Sequence, residues 1–205
     1  MPRIDTRETT ATRAFGRAYC YVLPCSGEDI LKLGFSREPL QRMRALHGRW
    51  FEFFDLDAAF LLETDRVKDA RAFETLWAAG VCLHSAPAPL LVRGEAGGVT
   101  EWYRGAYAPL RAAAEDAFAA GHRLHLPLRT WVRARLEHDR GEFCDWVQRA
   151  HNSFECGFAP GGDRSIVDAI DEYRALGFVT DDFLCEDVVR WYHDSERAGY
   201  SARAG

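Results

Sequence analysis

The sequence predicts an α+β protein: a small three-stranded antiparallel sheet flanked by helices, followed by an all-helical C-terminal region. Three observations carry that reading. Two aromatic and apolar runs, Ala18-Tyr19-Cys20-Tyr21-Val22-Leu23 and Ile30-Leu31-Lys32-Leu33-Gly34-Phe35, flank a polar turn containing Gly27, the pattern of an antiparallel hairpin. A third aromatic and apolar run, Phe51 to Leu62, is long enough for another strand. Beyond Gly121 every periodic segment has helical spacing.

Taken in order, residues 1–17 are polar, rich in Thr and Arg, and read as a loose lead-in. Pro24 stops the first strand. Ser36 is a suitable N-cap and Pro39 falls in the first turn, so a helix is expected from about Arg37 to His47, with Leu40, Met43 and His47 on one side. After the third strand, Asp65 to Ala79 places Val67, Ala70, Phe73, Leu76 and Trp77 at helical spacing, and Gly80 closes it. Residues 81–99 contain Pro and Gly and read as a loop. Tyr103 to Gly121 reads as a helix with an Ala-rich face. Segments near 129–139, 142–153, 165–176 and 183–196 read as further helices, separated in part by Gly161-Gly162 and Gly177 to Thr180. The expected organisation is a first domain over 18–121 and a helical domain over 122–205, with the boundary near 122–127.

Composition narrows the function classes. Of 205 residues 47% are hydrophobic, so a conventional core can be buried. No run approaches the ~18 apolar residues that cross a bilayer, and the N-terminal Met1-Pro2-Arg3-Ile4-Asp5 lacks the apolar core of a secretory signal. The expectation is a cytoplasmic protein with no membrane partner. Its six cysteines form no C-x-x-C pair, which removes zinc-ribbon and thioredoxin-like readings and leaves reduced thiols. The net charge of −5 argues against coating nucleic acid by bulk electrostatics. Between Lys32 and Arg49, however, five basic residues (Lys32, Arg37, Arg42, Arg44, Arg49) face one acid, Glu38. That local excess suits a site that grips phosphate at one place.

Tyr19-Cys20-Tyr21, ten residues, then Lys32-Leu33-Gly34 resembles the paired signature of the GIY-YIG nucleases. Arg42 stands eight residues past Gly34, where that family places a helical arginine. Thr100-Glu101-Trp102-Tyr103 resembles its metal-binding glutamate in a Glu-Trp-aromatic setting. The resemblance covers residues 18 to about 110 and is closest to the phage-type branch, which often has lysine in place of the second tyrosine. It implies the GIY-YIG fold and a metal-dependent endonuclease that hydrolyses DNA. Tyr21 would be the general base, Arg42 would bind phosphate, and Glu101 would hold one Mg²⁺ or Mn²⁺.

The residues make chemical sense for that reaction, which needs an activated water and neutralised phosphate charge. Tyr21 could accept a proton if a cation drew its pKa below the ~10 of a free phenol, and strand alternation allows Lys32 to be that cation. Gly34 would let phosphate or a helix approach the backbone, and Arg42 offers a planar fork for two oxygens. Tyr19, Gly34, Arg37, Arg44 and His47 are the candidate nucleic-acid contacts. The chain departs from the family pattern at Tyr19 and Lys32, and carries Leu46 where some relatives have histidine. Its only asparagine, Asn152, lies far from the position following the glutamate. Glu74 is either a supporting acid or an ordinary surface residue.

Two alternatives stand beside the DNA nuclease: a nucleic-acid-binding module of the same fold with little turnover, and an RNA-directed nuclease. The C-terminal region carries Trp131, Trp146, Phe154, Trp191 and Tyr192 at core-like spacings. From residue 121 on it has eleven basic and fifteen acidic residues, which makes a protein partner or homodimer contact at least as reasonable there as DNA.

Overall fold

The computed structural model describes residues 15–92, 100–157 and 162–203. By contacts the chain divides into two units, residues 1–132 and 133–205. In the first unit, strand β1 (Phe15–Pro24) forms a hairpin with β2 (Ile30–Ser36), and helix α1 (Pro39–Leu46) and the short α2 (Trp50–Phe53) follow. Strand β3 (Phe60–Arg66) runs directly into α3 (Val67–Gly80). A 3₁₀ turn at Cys82–His84 precedes β4 (Ser85–Ala86); then come β5 (Trp102–Arg104), α4 (Tyr107–Ala119), β6 (Arg123–His125) and the start of α5 (Leu128–Glu155).

The sheet is antiparallel and mixed with helices as expected, but it has six strands in the order β4-β5-β2-β1-β3-β6, not three. The three extra strands are two or three residues long. Such short pieces show no alternation to read; pairing with the long central strands defines them. The third strand is also later than the 51–62 expectation. Trp50–Phe53 is a helical turn, and the strand begins at Phe60, because Asp55 breaks the run. Its Oδ1 accepts the amides of Asp57 (3.0 Å) and Ala58 (3.1 Å), an Asx-type turn. The helix expected from Tyr103 loses its first residues to β5, with Gly105 in the left-handed region (φ 67°) turning the chain into α4.

Alternation along the strands divides the first unit into two faces. Cys20 and Val22 of β1, Leu31 and Leu33 of β2, Phe60 and Leu62 of β3, and Tyr103 of β5 pack with Trp77, Leu110, Ala114 and Ala117 of α3 and α4. The other face carries Tyr19, Tyr21, Lys32, Gly34 and Trp102. Burial of aromatic and aliphatic side chains of this size stabilises by roughly 1.5–3 kcal/mol each.

Residues 122–132 belong with the first unit because β6 pairs with β3 and the first amides of α5 are spent there. Leu128 N donates to Ala59 O (2.9 Å) and Arg129 N to Leu56 O (3.0 Å), satisfying donors that a helix start leaves without partners. In the second unit, the helices expected at 129–139 and 142–153 are one continuous helix, with Gly141 inside it. A single helical Gly costs only about 1 kcal/mol and does not end a helix. Helices α6 (Gly162–Ala175) and α7 (Glu186–Arg203) complete this unit. It packs Val147, Ile166, Ile170, Val188 and Tyr192 into a core of its own. Among the described residues no helix is long and apolar enough to cross a membrane.

Candidate active site on the hairpin

The hairpin register decides which candidates share a face. Tyr21 pairs with Gly34, and Leu23 with Lys32; residues opposite each other in an antiparallel ladder lie on the same side. Tyr21, Gly34 and Lys32 are therefore neighbours. The Tyr21 ring lies directly over Gly34: a Cβ added there would stand 2.5 Å from Tyr21 Cζ and 2.8 Å from Cε2. What the glycine supplies is room for the ring. Arg42, on the middle of α1, donates from Nε to Tyr21 Oη over a long 3.4 Å.

Lys32 is fully buried, and its ammonium spends its three donors on three oxygens. Nζ donates to Leu33 O (2.9 Å), Thr100 O (2.8 Å) and Glu101 Oε2 (2.9 Å). This ties the residues before β5 to the hairpin. Glu101 is the sole non-glycine residue with positive φ (61°) among the described residues, a conformation that costs an L-residue about 1–2 kcal/mol. Its carbonyl also accepts from Leu33 N (3.1 Å). A strained residue held from both side chain and backbone marks a place where position matters.

No family model, curated protein or solved structure matches the chain. The chemistry of the site rests on its own residues.

Electrostatics correct one expectation. Burial raises the Tyr21 pKa above its ordinary value; the Arg42 hydrogen bond and charge work against that, while Glu74 and Glu101 add to it. The expected drop does not occur, because Lys32 is taken up by Glu101 and two carbonyls and the cation at the phenol is Arg42. Desolvation wins, and Tyr21 is only 2% exposed. Lys32 is itself lowered, mainly by burial, with Glu101 opposing. Glu74, half-buried on α3, is raised first by burial and then by Glu101, while Lys32, Arg71 and a backbone hydrogen bond from Phe35 favour its ionised form.

These groups meet at a notch in the sheet. On β2, β5 pairs only with Ile30, Leu31 and Lys32, so beyond the Leu33 amide, which reaches Glu101 O, the next amide facing that side, Phe35 N, goes to Glu74. Glu74 and Glu101 thus bring two carboxylates within electrostatic reach of one another from different elements. Oxygen donors of this kind fit Mg²⁺ or Mn²⁺, which takes one or two carboxylates and keeps several waters. Of these, Glu101 has a side chain that is 43% exposed and pairs with Lys32, so an ion from solvent could reach it. Among the described residues no group of three or more His, Cys, Asp or Glu is placed to hold a metal, so water would fill most of the coordination shell.

The other candidates lie apart from this cluster. The Arg37 guanidinium lies against Gly16 at the start of β1, where an added Cβ would stand 2.7 Å from its Nη2. Arg44 is exposed on α1. His47 is turned away and stacks on Phe53 at 4.5 Å, lining a separate pocket with Cys25, Ser26 and Glu28. Tyr19 is buried against Trp131, ring centroids 5.5 Å apart. Asn152 lies in the second unit, where its Oδ1 accepts from Gln148. Sequence reasoning missed the carbonyls of Leu33 and Thr100 and the amide of Phe35, since backbone groups leave no residue-type signature. Cys20 and Cys25 are buried and free, and Cys25 is pushed up to about 12 by burial and Glu28, which makes it an inert thiol.

Proposed function

We propose that the protein is a metal-dependent endonuclease of the GIY-YIG type, hydrolysing DNA phosphodiester bonds at the Tyr21 site. The observation that carries this reading is the convergence of Tyr21, Lys32, Arg42 and Glu101 from four separate stretches of chain. Arg42 contacts the Tyr21 phenol, and Lys32 holds a strained Glu101. A strictly structural cluster has no need of a left-handed glutamate whose carboxylate stays part-exposed.

In this reading Glu101, with Glu74 nearby in the electrostatics of the site, would hold Mg²⁺ or Mn²⁺, which would supply charge stabilisation to the phosphate and acidify a bound water. Arg42 would bind the phosphate oxygens, for which a planar guanidinium fork is better matched than an ammonium. Tyr21 Oη, when ionised, would take a proton from the water that attacks phosphorus, while the bond from phosphorus to the leaving sugar oxygen breaks and that oxygen takes a proton from solvent. Because burial raises the Tyr21 pKa, the ionised form is a minority at neutral pH and grows as pH rises. Lys32 does not face the substrate: its three bonds make it the residue that fixes where Glu101 stands.

A second reading, binding with little turnover, is favoured by the near-complete covering of Tyr21. Incubation of the purified protein with supercoiled plasmid DNA and with a structured RNA, each with Mg²⁺ and with excess chelator, separates the readings. Mg²⁺-dependent nicking of DNA supports the proposal; binding without cleavage under all conditions supports the module; preferential RNA cleavage moves the substrate to RNA.

A further inference from the structure

The sheet face that carries Tyr21 continues across β3 to β6. The register aligns Tyr21, Leu61 and His125 in one cross-strand row, and Tyr19, Glu63 and Arg123 in the next. With adjacent strands ~4.8 Å apart, the β6 backbone lies about 10 Å from that of Tyr21, within about three nucleotide steps of a duplex strand. At this edge the Glu63 side chain, 11% exposed, receives Arg17 Nε (3.0 Å) and Arg123 Nη1 (3.3 Å) on Oε1, while Oε2 meets His125 Nε2 at 2.8 Å. The two arginines remain 63% and 68% exposed. A guanidinium has five donors, so each keeps N–H groups for another acceptor while its position is fixed by a buried carboxylate. Beside them Trp131 is half-buried, its ring inclined at 68° to Tyr19 with centroids 5.5 Å apart and 6.4 Å from the His125 ring.

We propose that this β3–β6 edge binds an unpaired base and its phosphate on the strand that enters the Tyr21 site: Trp131 takes the base, and Arg17 and Arg123 take the phosphate. The inference rests on the nuclease reading and names its substrate class, DNA with an unpaired nucleotide beside the scissile bond, such as a fork, flap or gap. A part-exposed tryptophan next to cations held from behind is a combination that recognises single-stranded segments regardless of sequence. A paired base in an uninterrupted duplex has both faces covered and cannot use the tryptophan.

The test is anisotropy of fluorescein-labelled DNA at fixed salt without divalent cation, using a forked duplex and the matching uninterrupted duplex. Wild-type protein is expected to prefer the fork. Trp131→Ala is expected to weaken fork binding about tenfold or more and duplex binding little, as loss of one base stack implies; Trp131→Phe restores most of it. Arg123→Glu, at an exposed position that leaves the core untouched, weakens both and flattens the salt dependence. Equal affinity for fork and duplex, or fork binding unchanged in both Trp131→Ala and Arg123→Glu, overturns the proposal. If Mg²⁺-dependent cleavage by the wild type persists in that case, the nuclease reading survives without it. If the wild type neither binds nor cleaves DNA, both fall.

Discussion

Gly34→Ala tests the packing of the hairpin against its tyrosine. The new methyl would lie 2.5 Å from Tyr21 Cζ and 2.8 Å from Cε2, whereas carbon atoms in contact sit ~3.5–4.0 Å apart. The ring must therefore retreat by about 1 Å, and nothing in the backbone of Gly34 resists the substitution, since it has no positive φ. Overpacking of this kind costs about 1–3 kcal/mol, partly offset by the roughly 0.5–1 kcal/mol gained from replacing a strand glycine. The net expectation is a loss of about 1–2 kcal/mol in chemical denaturation. The effect on cleavage is far larger, because a ~1 Å displacement of a reacting group costs on the order of 10²-fold, here compounded by loss of the Arg42 contact. Urea titration and initial rates of plasmid nicking measure the two. A variant that nicks at wild-type rate would refute the claim that the ring over Gly34 belongs to the reacting centre.

Lys32→Met leaves the Leu33 and Thr100 carbonyls without their donor and frees Glu101, so a stability loss of about 2–5 kcal/mol is expected from two unpaired acceptors. Mn²⁺ affinity, measured by calorimetry, should fall with it; unchanged affinity would show that Lys32 does not position Glu101. Tyr21→Phe should abolish the alkaline rise of the cleavage rate that a raised phenol pKa produces, a rise with log-slope of about 1 in the wild type; a flat wild-type profile would remove the base role. Glu74→Gln should be more stable than wild type at neutral pH. A carboxyl whose folded pKa is raised favours folding when protonated and loses that contribution as pH rises through the folded value. The advantage should close as pH falls through that value, and denaturation curves at neutral and acidic pH would show no such convergence if Glu74 were an ordinary surface acid.

Much of the central fold could be read from residue type. The 18–23 and 30–35 strands have the period-2 pattern and a polar turn between them, and the structure extends each by only a few residues. The α3 helix forms over nearly the expected residues and buries Ala70 and Trp77, though Leu76, placed on the same face by its spacing, is 66% exposed. The run 51–62 was misleading because hydrophobicity alone does not separate a helical turn from a strand; the Asp55 side chain, bonding back to two amides, makes the break. Strands β4, β5 and β6 are created by tertiary pairing and carry no pattern of their own. At the site, the family resemblance singles out Tyr21, Lys32, Arg42 and Glu101, and the structure links Tyr21 to Arg42 and Lys32 to Glu101. Spacing could not show that Lys32 faces two carbonyls and a carboxylate, because that depends on the left-handed turn at Glu101. Nor could spacing show that burial outweighs Arg42 at Tyr21. His47 illustrates the limit of azimuth: one residue beyond the expected position, it stacks on Phe53 instead of reaching the phenol.

The reading of the site as a nuclease is tested most directly by plasmid cleavage with Mg²⁺ in wild type and Glu101→Gln, at matched folding by circular dichroism. The glutamine keeps an oxygen for the Lys32 ammonium and so preserves the turn, but it removes the charge that would hold the metal. The expected result is Mg²⁺-dependent nicking by the wild type and a loss of at least about 10²-fold in the variant, the scale of removing one charge-stabilising group. Nicking that persists undiminished in Glu101→Gln would contradict the account at its centre.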